Sequence, residues 1–398
     1  MKKVFKILFK VLISLSLLMI FLYIIIGLIK GVEKKEKEEA SEIRGIFLSY
    51  LDYSADFKNK DENALRSAIE TKIKAIKDMN LNTVFFQVRT FADAIYPSEL
   101  FPASKTVTDD YLKADILKIF LEIAHKNNIQ VHAWINPYRI SYNTSEDEIK
   151  DEAIYKSWLG TNKIQISDDG IYFNPASEDV LNLILDGIKE LIKNYDIDGI
   201  LYDDYFYPNK TIDLENYSDY IALGGTLAIE DYRRENITKL IKESYQTVKS
   251  QNNEVLFGIS PAGNISNNKN TEYLDIEAIL SGEKCLDYVM PQLYFGLNNG
   301  VLPYEEILNT WNALIKDDTA LYVALALYKS GEEDRYAKDG KDEWKENTDI
   351  IKKEIILARN VSNYEGFGIF RYDFLFSKDK ENEQLLKERE NIKELLTT

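Results

Sequence analysis

From residue 44 onward, short apolar runs of five to eight residues alternate with longer stretches of helical periodicity. The strand-like runs are Gly45–Ser49, Asn82–Val88, Gln130–Asn136, Asp198–Asp203, Val255–Ser260, Leu286–Leu293, Ala320–Ala326 and Gly366–Arg371. Helical spacing follows each of them, over Glu62–Met79, Ala114–Lys126, Glu178–Asn194, Glu230–Ser250, Leu274–Leu280, Tyr304–Lys316, Trp344–Arg359 and Asp379–Leu396. Most runs are apolar throughout, as parallel strands covered on both faces require. Eight such pairs predict an α/β fold, a (β/α)8 TIM barrel with long βα-loop insertions. A doubly wound open sheet is the alternative, but no Gly-x-Gly-x-x-Gly follows the first strand. The eightfold count favours the barrel.

The first residues follow a different pattern. Lys2, Lys3, Lys6 and Lys10 precede Val11–Ile29, a run without a single charge. At about 1.5 Å per residue, a helix of that length spans about 28 Å, close to the hydrocarbon thickness of a bilayer. The run is longer than a signal-peptide core, and no Ala-x-Ala-like cleavage site follows it. The pattern therefore predicts an N-terminal transmembrane helix as signal anchor over 1–30, a charged linker over 31–42 and the barrel over 43–398. Lys30, Lys34, Lys35 and Lys37 balance the lysines on the other side, so the positive-inside count does not orient the span. A short basic N-terminus ahead of a long domain favours a single-pass protein of the cell membrane with its barrel outside the cytoplasm.

Composition narrows the function classes. Sixty-six acidic against 49 basic residues give a net charge of −17, which argues against a nucleic-acid partner. One cysteine (Cys285) and two histidines (His125, His132) exclude an internal disulfide, a multi-Cys zinc site, a three-His centre and HExxH. No EF-hand loop is present either, so neither metal nor cofactor is expected. The 26 Tyr, 18 Phe and 4 Trp supply flat apolar faces of the kind on which sugar rings stack.

In a TIM barrel the chemistry sits where strands end. Arg89, Asp93 and Tyr96 follow the second strand, and His132, Trp134, Asn136, Tyr138 and Arg139 lie in or after the third. Tyr202, Asp203, Asp204, Tyr205 and Tyr207 close the fourth, Gln292 and Tyr294 the sixth, and Arg371 the eighth. Carboxylates, guanidinium groups and aromatic faces at one mouth suit a hydroxyl-rich glycan. Asp203 and Asp204 are the catalytic candidates, because adjacent carboxylates in a dry mouth push one pKa up and leave a proton near neutral pH. The other residues are candidates for substrate binding. An alternative is that either aspartate pairs with Arg89 or Arg371 and only holds the barrel top together.

Six ordered segments resemble the glycosyl-hydrolase-like family ten proteins. They are Arg44-Gly-Ile-Phe47; Leu81-Asn-Thr-Val-Phe-Phe-Gln-Val-Arg89 with Asp93-Ala-Ile-Tyr-Pro-Ser98; Val131-His-Ala-Trp-Ile-Asn-Pro-Tyr-Arg139; Asp198-Gly-Ile-Leu-Tyr-Asp-Asp-Tyr-Phe-Tyr-Pro208; Phe257-Gly-Ile-Ser-Pro261; and Asp287-Tyr-Val-Met-Pro-Gln-Leu-Tyr294. The resemblance implies a barrel acting on bacterial envelope glycans, with peptidoglycan glycan strands the leading partner and a site centred on Asp203 and Asp204. One departure follows Ser260-Pro261: Ala262-Gly-Asn-Ile-Ser-Asn267 replaces the family's Phe-Gly-x-Trp-Arg-Asn. A looser similarity to chitinase-like barrels sets Asp203 on the last Asp of Asp-Gly-x-Asp-x-Asp-x-Glu and Tyr205 where the acid Glu stands. It implies substrate-assisted cleavage of an N-acetylhexosaminide, with Asp203 orienting the acetamido group and Asp204 giving the proton, or the reverse. An inverting route stays open, and the Tyr also fits a non-catalytic glycan-binding barrel.

Overall fold

The computed structural model describes residues 42–203, 206–316, 318–380 and 382–397. The span expected over 11–29, the linker up to residue 41, Asp204 and Tyr205 lie outside the described residues. Among the described residues no helix is long and apolar enough to cross a membrane.

Eight parallel strands close into a barrel: β1 (Ile43–Leu48), β2 (Thr83–Arg89), β3 (Gln130–Ile135), β4 (Gly199–Asp203), β5 (Leu256–Ser260), β6 (Tyr288–Val289), β7 (Ala320–Ala326) and β8 (Tyr364–Phe370). Each strand pairs with its sequence neighbours, and β8 returns to β1 through Ile43↔Gly366 to Ile46↔Ile369. The expected barrel is therefore the observed one. The sixth strand is shorter than the apolar run Leu286–Leu293 predicts, because Pro291 has no N–H for the ladder. Its pairing continues beyond the proline only as single bridges, from Gln292 to Ala262 and to Ala324.

Side-chain alternation divides the apolar residues into two cores. Outward-facing residues such as Val84, Phe86, Ile200 and Ile259 meet the helices in one large cluster. Inward-facing Phe47, Phe85, Trp134, Leu201, Tyr288, Met290 and Tyr322 fill the barrel. The helices present matching stripes. In Glu62–Asp78 the buried Leu65, Ile69, Ile73 and Ile76 recur three and four apart, and Asp61 caps the first turn by accepting the Ala64 N–H at 2.9 Å.

Several elements were not foreseen. A three-stranded antiparallel sheet (Arg139–Ser141, Ile164–Ser167, Gly170–Phe173) fills the loop between β3 and β4. Helix Leu214–Ala222 sits in the loop after β4, and helix Tyr50–Phe57 directly after β1. The helix expected over Trp344–Arg359 is two pieces, Glu343–Glu346 and Ile350–Ala358. The second piece starts afresh because the Glu388 carboxylate accepts the N–H groups of Ile350 and Ile351, an N-terminal partner supplied from a distant helix.

Large rings fill the barrel interior beside several strand glycines, among them Gly45, Gly199 and Gly258. Gly258 faces Tyr288 across β5 and β6, and a Cβ on it would lie 2.3 Å from the Tyr288 ring. Tyr288 in turn stacks on Tyr322, with centroids 4.6 Å apart. Gly258→Ala is therefore expected to cost about 1–3 kcal/mol through overpacking. Urea unfolding checks this, and an unchanged midpoint would show that the ring has room to move.

Candidate active site

The top of the barrel is built from the residues that end the strands. On β4 the alternation turns Leu201 and Asp203 inward and Tyr202 outward. Asp203 is 6% exposed. Gln292, beyond β6, donates from Nε2 to its Oδ1 at 2.7 Å and to the Ser260 carbonyl at 3.2 Å. Asn136, beyond β3, donates to the Asp203 carbonyl at 3.0 Å and accepts from Gln87 Nε2 at 2.7 Å. Gln87 in turn accepts the Tyr50 N–H at 3.1 Å. A belt of amides thus ties β1, β2, β3, β4 and β6 together at the level of one carboxyl.

Burial pushes the Asp203 carboxyl up to about 7, against the opposing pull of the Arg139 charge and the Gln292 hydrogen bond. Tyr294 is raised well above the ordinary phenol range, by burial first and by the Asp203 charge second. Aromatic rings gather in two groups, the first beside the carboxyl through Tyr294 and the second beside Arg139 through Tyr142. Tyr294, Phe370 and Tyr328 form one, with centroids 5.8–6.0 Å apart. Tyr50, Phe91 and Tyr142 form the other, at 6.0 and 5.4 Å. Trp134 Nε1 and Ser260 Oγ are buried with no hydrogen-bond partner among the described residues. Ser260 lies across from Asp203 in the β4–β5 register, and Trp134 shares a core cluster with Tyr294 and Phe370. Buried polar atoms of this kind are costly unless something pairs with them.

A second polar knot stands where β8 meets β1. Asp52 accepts the Ser49 N–H at 2.7 Å, Arg371 Nη1 at 3.0 Å and the Asp373 N–H at 3.0 Å. Arg371 Nη2 also donates to Asp373 at 2.9 Å. Burial and the Asp52 charge hold the Asp373 carboxyl above its usual range. Arg371 is thus a tie between strand ends at the rim.

The structure gathers Asp203, Trp134, Asn136, Gln292, Tyr294 and, through its charge on Asp203, Arg139. It puts the other described sequence candidates elsewhere. Tyr202 faces the helix layer, 3.1 Å from Ser244 Oγ, and Tyr138 is buried close to it. The register shift between Gln87 and Arg89 breaks the alternation, and the Arg89 guanidinium lies 3.6 Å over Phe101, against Gly187. Tyr96 is buried in the same outer layer, edge-on to Tyr195. Tyr207 donates to Asp213 at 2.6 Å in a buried knot that Arg233 completes at 2.8 Å. Asp93 accepts the Phe91 N–H at 3.3 Å on the wall of a side cavity. His132 is fully buried inside the barrel. Tyr288 donates to the Ile200 carbonyl at 3.3 Å, which leaves its oxygen to accept from His132 Nδ1 at 2.9 Å. Burial pushes His132 down to about 3, so the ring stays neutral. Asp204 and Tyr205 lie outside the described residues.

Sequence reasoning missed Tyr50, Asp52, Phe91 and Tyr142. A signal existed for one of them: Ser49-x-x-Asp52 is a capping box placed directly after the first strand, and the box forms. Among the described residues no group of three or more His, Cys, Asp or Glu side chains could hold a metal ion.

Comparisons with known proteins agree on the class. The family model described as glycosyl hydrolase-like 10 matches residues 42–342. Glycosyl hydrolase DigH of Escherichia coli strain K12 is 30% identical over 379 residues, covering 84% of this chain and 83% of that protein. Glycosyl hydrolase YngK of Bacillus subtilis strain 168 is 31% identical over 320 residues, covering 72% and 61%. Among solved structures, the PgaB (BpsB) glycoside hydrolase domain from Bordetella bronchiseptica shares the fold with a TM-score of 0.55 at 13% identity, over 89% of this chain and 98% of that one. The endo-1,4-beta-mannanase from Rhizomucor miehei does so with 0.52 at 12%, over 90% and 95%.

The raised Asp203 carboxyl has a thermodynamic consequence. A folded-state pKa near 7, against about 3.9 unfolded, means that its contribution to stability is whole below pH 4 and is lost as pH rises toward 7. Asp203→Asn removes that loss. Its stability relative to wild type is expected to improve between pH 5 and pH 8 by at most about 3 kcal/mol. Urea unfolding at the two pH values checks it, and a pH-independent difference would contradict the assignment.

Proposed function

The chain belongs to the glycosyl hydrolase-like 10 family, and from that premise we propose that it cleaves N-acetylhexosamine-containing glycan strands of the bacterial envelope, peptidoglycan foremost. The observation that carries this reading is the buried carboxyl of Asp203 at the centre of an aromatic-walled mouth, oriented by Gln292 and flanked by Tyr294. Aromatic faces suit the apolar sides of pyranose rings.

In the proposed step the substrate's acetamido oxygen attacks its own anomeric carbon as the glycosidic C–O bond breaks. Asp204 gives its proton to the leaving oxygen. Asp203, as the carboxylate, accepts a hydrogen bond from the acetamido N–H and stabilises the positive charge that develops there. Water then opens the cyclic ion at the anomeric carbon, and Asp204 takes a proton back. Carboxyl groups exchanging roles in this way are common to glycoside hydrolases, and preorganised charge at a dry site supplies much of the rate. The Gln292 donor favours the ionised form of Asp203 that this role needs.

The barrel's attachment belongs to the same proposal. The charge-free run at 11–29 would tether it to the cell membrane on the extracytoplasmic face, within reach of the wall. In fractionated cells the protein is then expected in the membrane pellet through salt washing and in solution only after detergent. Release by salt alone would contradict the tether.

Peptide-free glycan strands incubated with the detergent-solubilised protein, read by mass spectrometry, test the chemistry. Asp203→Asn and Asp204→Asn are each expected to lower fragment release by about 10²–10⁴-fold. The acidic limb of kcat/KM should lie near pH 7, the value to which burial raises Asp203. Gln292→Ala should move that limb to higher pH, since it removes a donor to the carboxylate. If wild-type protein binds the strands but releases nothing, the barrel is a glycan-binding module, the reading that Tyr205 in the acid's usual place favours.

A further inference from the structure

Between the loop after β2 and the segment that begins the inserted sheet lies a cavity of about 360 Å³. It shares Phe91 and Tyr142 with the second group of aromatic rings and extends from them to Asp93, Ile140, Lys150 and Tyr155. We propose that it is a distal glycan subsite, holding a neutral N-acetylhexosamine ring of the strand whose scissile bond lies at Asp203.

Three observations carry the inference, which rests on the glycan-cleaving reading above. The first is continuity. Arg139 Nη1 donates to the Tyr142 hydroxyl at 2.6 Å and the guanidinium stacks 4.4 Å over that ring, while the same cation acts on Asp203. Tyr142 is half-exposed at the edge of the cavity, so one residue lines the side cavity and holds the cation that acts on Asp203. The second is rigidity. Tyr155 donates to the Ala92 carbonyl, Lys150 to the Ala103 carbonyl at 2.9 Å, and Asp93 accepts from the Phe91 N–H at 3.3 Å. These bonds fix the walls before any ligand arrives, which reduces the ordering cost of binding. The third is chemistry and size. The lining carries two carboxyls, Asp93 and Glu148, against two ammonium groups, Lys105 and Lys150, and Lys105 is paired with Glu148 at 2.9 Å. Charges balanced in this way favour a neutral polar ligand over an anion. The volume sits at the low end of small-molecule sites, about 300–1,000 Å³, which suits one ring of a chain and not a folded partner.

The test uses oligomers of N-acetylglucosamine from two to six units. Tyr142→Ala removes the shared wall at an exposed position, and Ala103→Phe narrows the cavity from its far side. In both variants the advantage of the hexamer over the dimer in kcat/KM is expected to shrink by about ten-fold. Calorimetric titration of the oligomers into Asp203→Asn protein, with and without Ala103→Phe, reads the same subsite without catalysis. Wild type that cleaves while both variants keep the full length advantage overturns the subsite and leaves the glycosidase reading intact. Wild type that cleaves nothing, beside Asp203→Asn protein whose affinity grows with length and loses that growth on Ala103→Phe, upholds the subsite and overturns the cleavage. Affinity that does not grow with length overturns the subsite.

Discussion

The belt of side-chain amides at the barrel top is the constraint on which the rest depends. Gln87, Asn136 and Gln292 are buried or half-buried, and each spends its hydrogen bonds on a neighbouring strand end or on Asp203. An amide is suited to this work because it donates and accepts without charge, so burying it costs nothing once both ends are paired. The belt fixes the Asp203 backbone from one side and its carboxyl from the other. Tied at its backbone carbonyl and at one carboxyl oxygen, the Asp203 side chain is held in one direction.

That position is bought against stability. Asp203 in its ionised form is disfavoured by burial, and the nearest described relief is one hydrogen bond and the charge of Arg139. The unpaired indole and hydroxyl groups of Trp134 and Ser260 add to the cost. Costs of this kind gather at functional sites because the same desolvation that destabilises a group tunes its proton affinity. The well-paired carboxylates show the contrast. Asp213 is fully buried too, yet Arg233 and Tyr207 saturate it, and Asp52 is met by Ser49, Arg371 and the Asp373 backbone. Burial does not by itself mark a reactive carboxyl: Glu354, within helix Ile350–Ala358, is fully buried with neither carboxyl oxygen hydrogen-bonded among the described residues, and what sets Asp203 apart is its place at the end of β4.

The loops divide the labour with the barrel. The strands set the height and direction of Asp203, Asn136 and Gln292, while the sheet inserted after β3 leads directly into Tyr142, whose hydroxyl accepts from Arg139. The glycosyl hydrolase-like 10 family match covers residues 42–342, strand ends and inserted loops alike. The Ala262–Asn267 segment, where this chain departs from the resemblance, forms a turn into the short helix Ile265–Asn270 that Asn264 caps. Asn268 there donates to the Ala262 carbonyl at 2.7 Å, so polar self-contacts occupy a stretch where the family resemblance implies an aromatic and a basic side chain.

How much was legible in the sequence follows from the range of the forces involved. Apolar runs and helical periodicity are local, so the eight strand–helix pairs, the closed barrel and the strand-end positions of Asp203, Asn136 and Gln292 could all be read from the chain. Which way a side chain points at a strand end is not local. Arg89 turns outward because the ladder slips one residue after Gln87, Tyr202 because its parity differs from that of Asp203, and His132 lies a layer too deep to reach the mouth although it shares that parity. Asp52 and Tyr142 entered the site from a helix and an inserted sheet whose positions depend on partners far along the chain. The residue types capable of the chemistry were fixed by the order of amino acids; which of them meet was decided by strand register and loop packing, since hydrogen bonds and burial act between residues that only the closed barrel brings together.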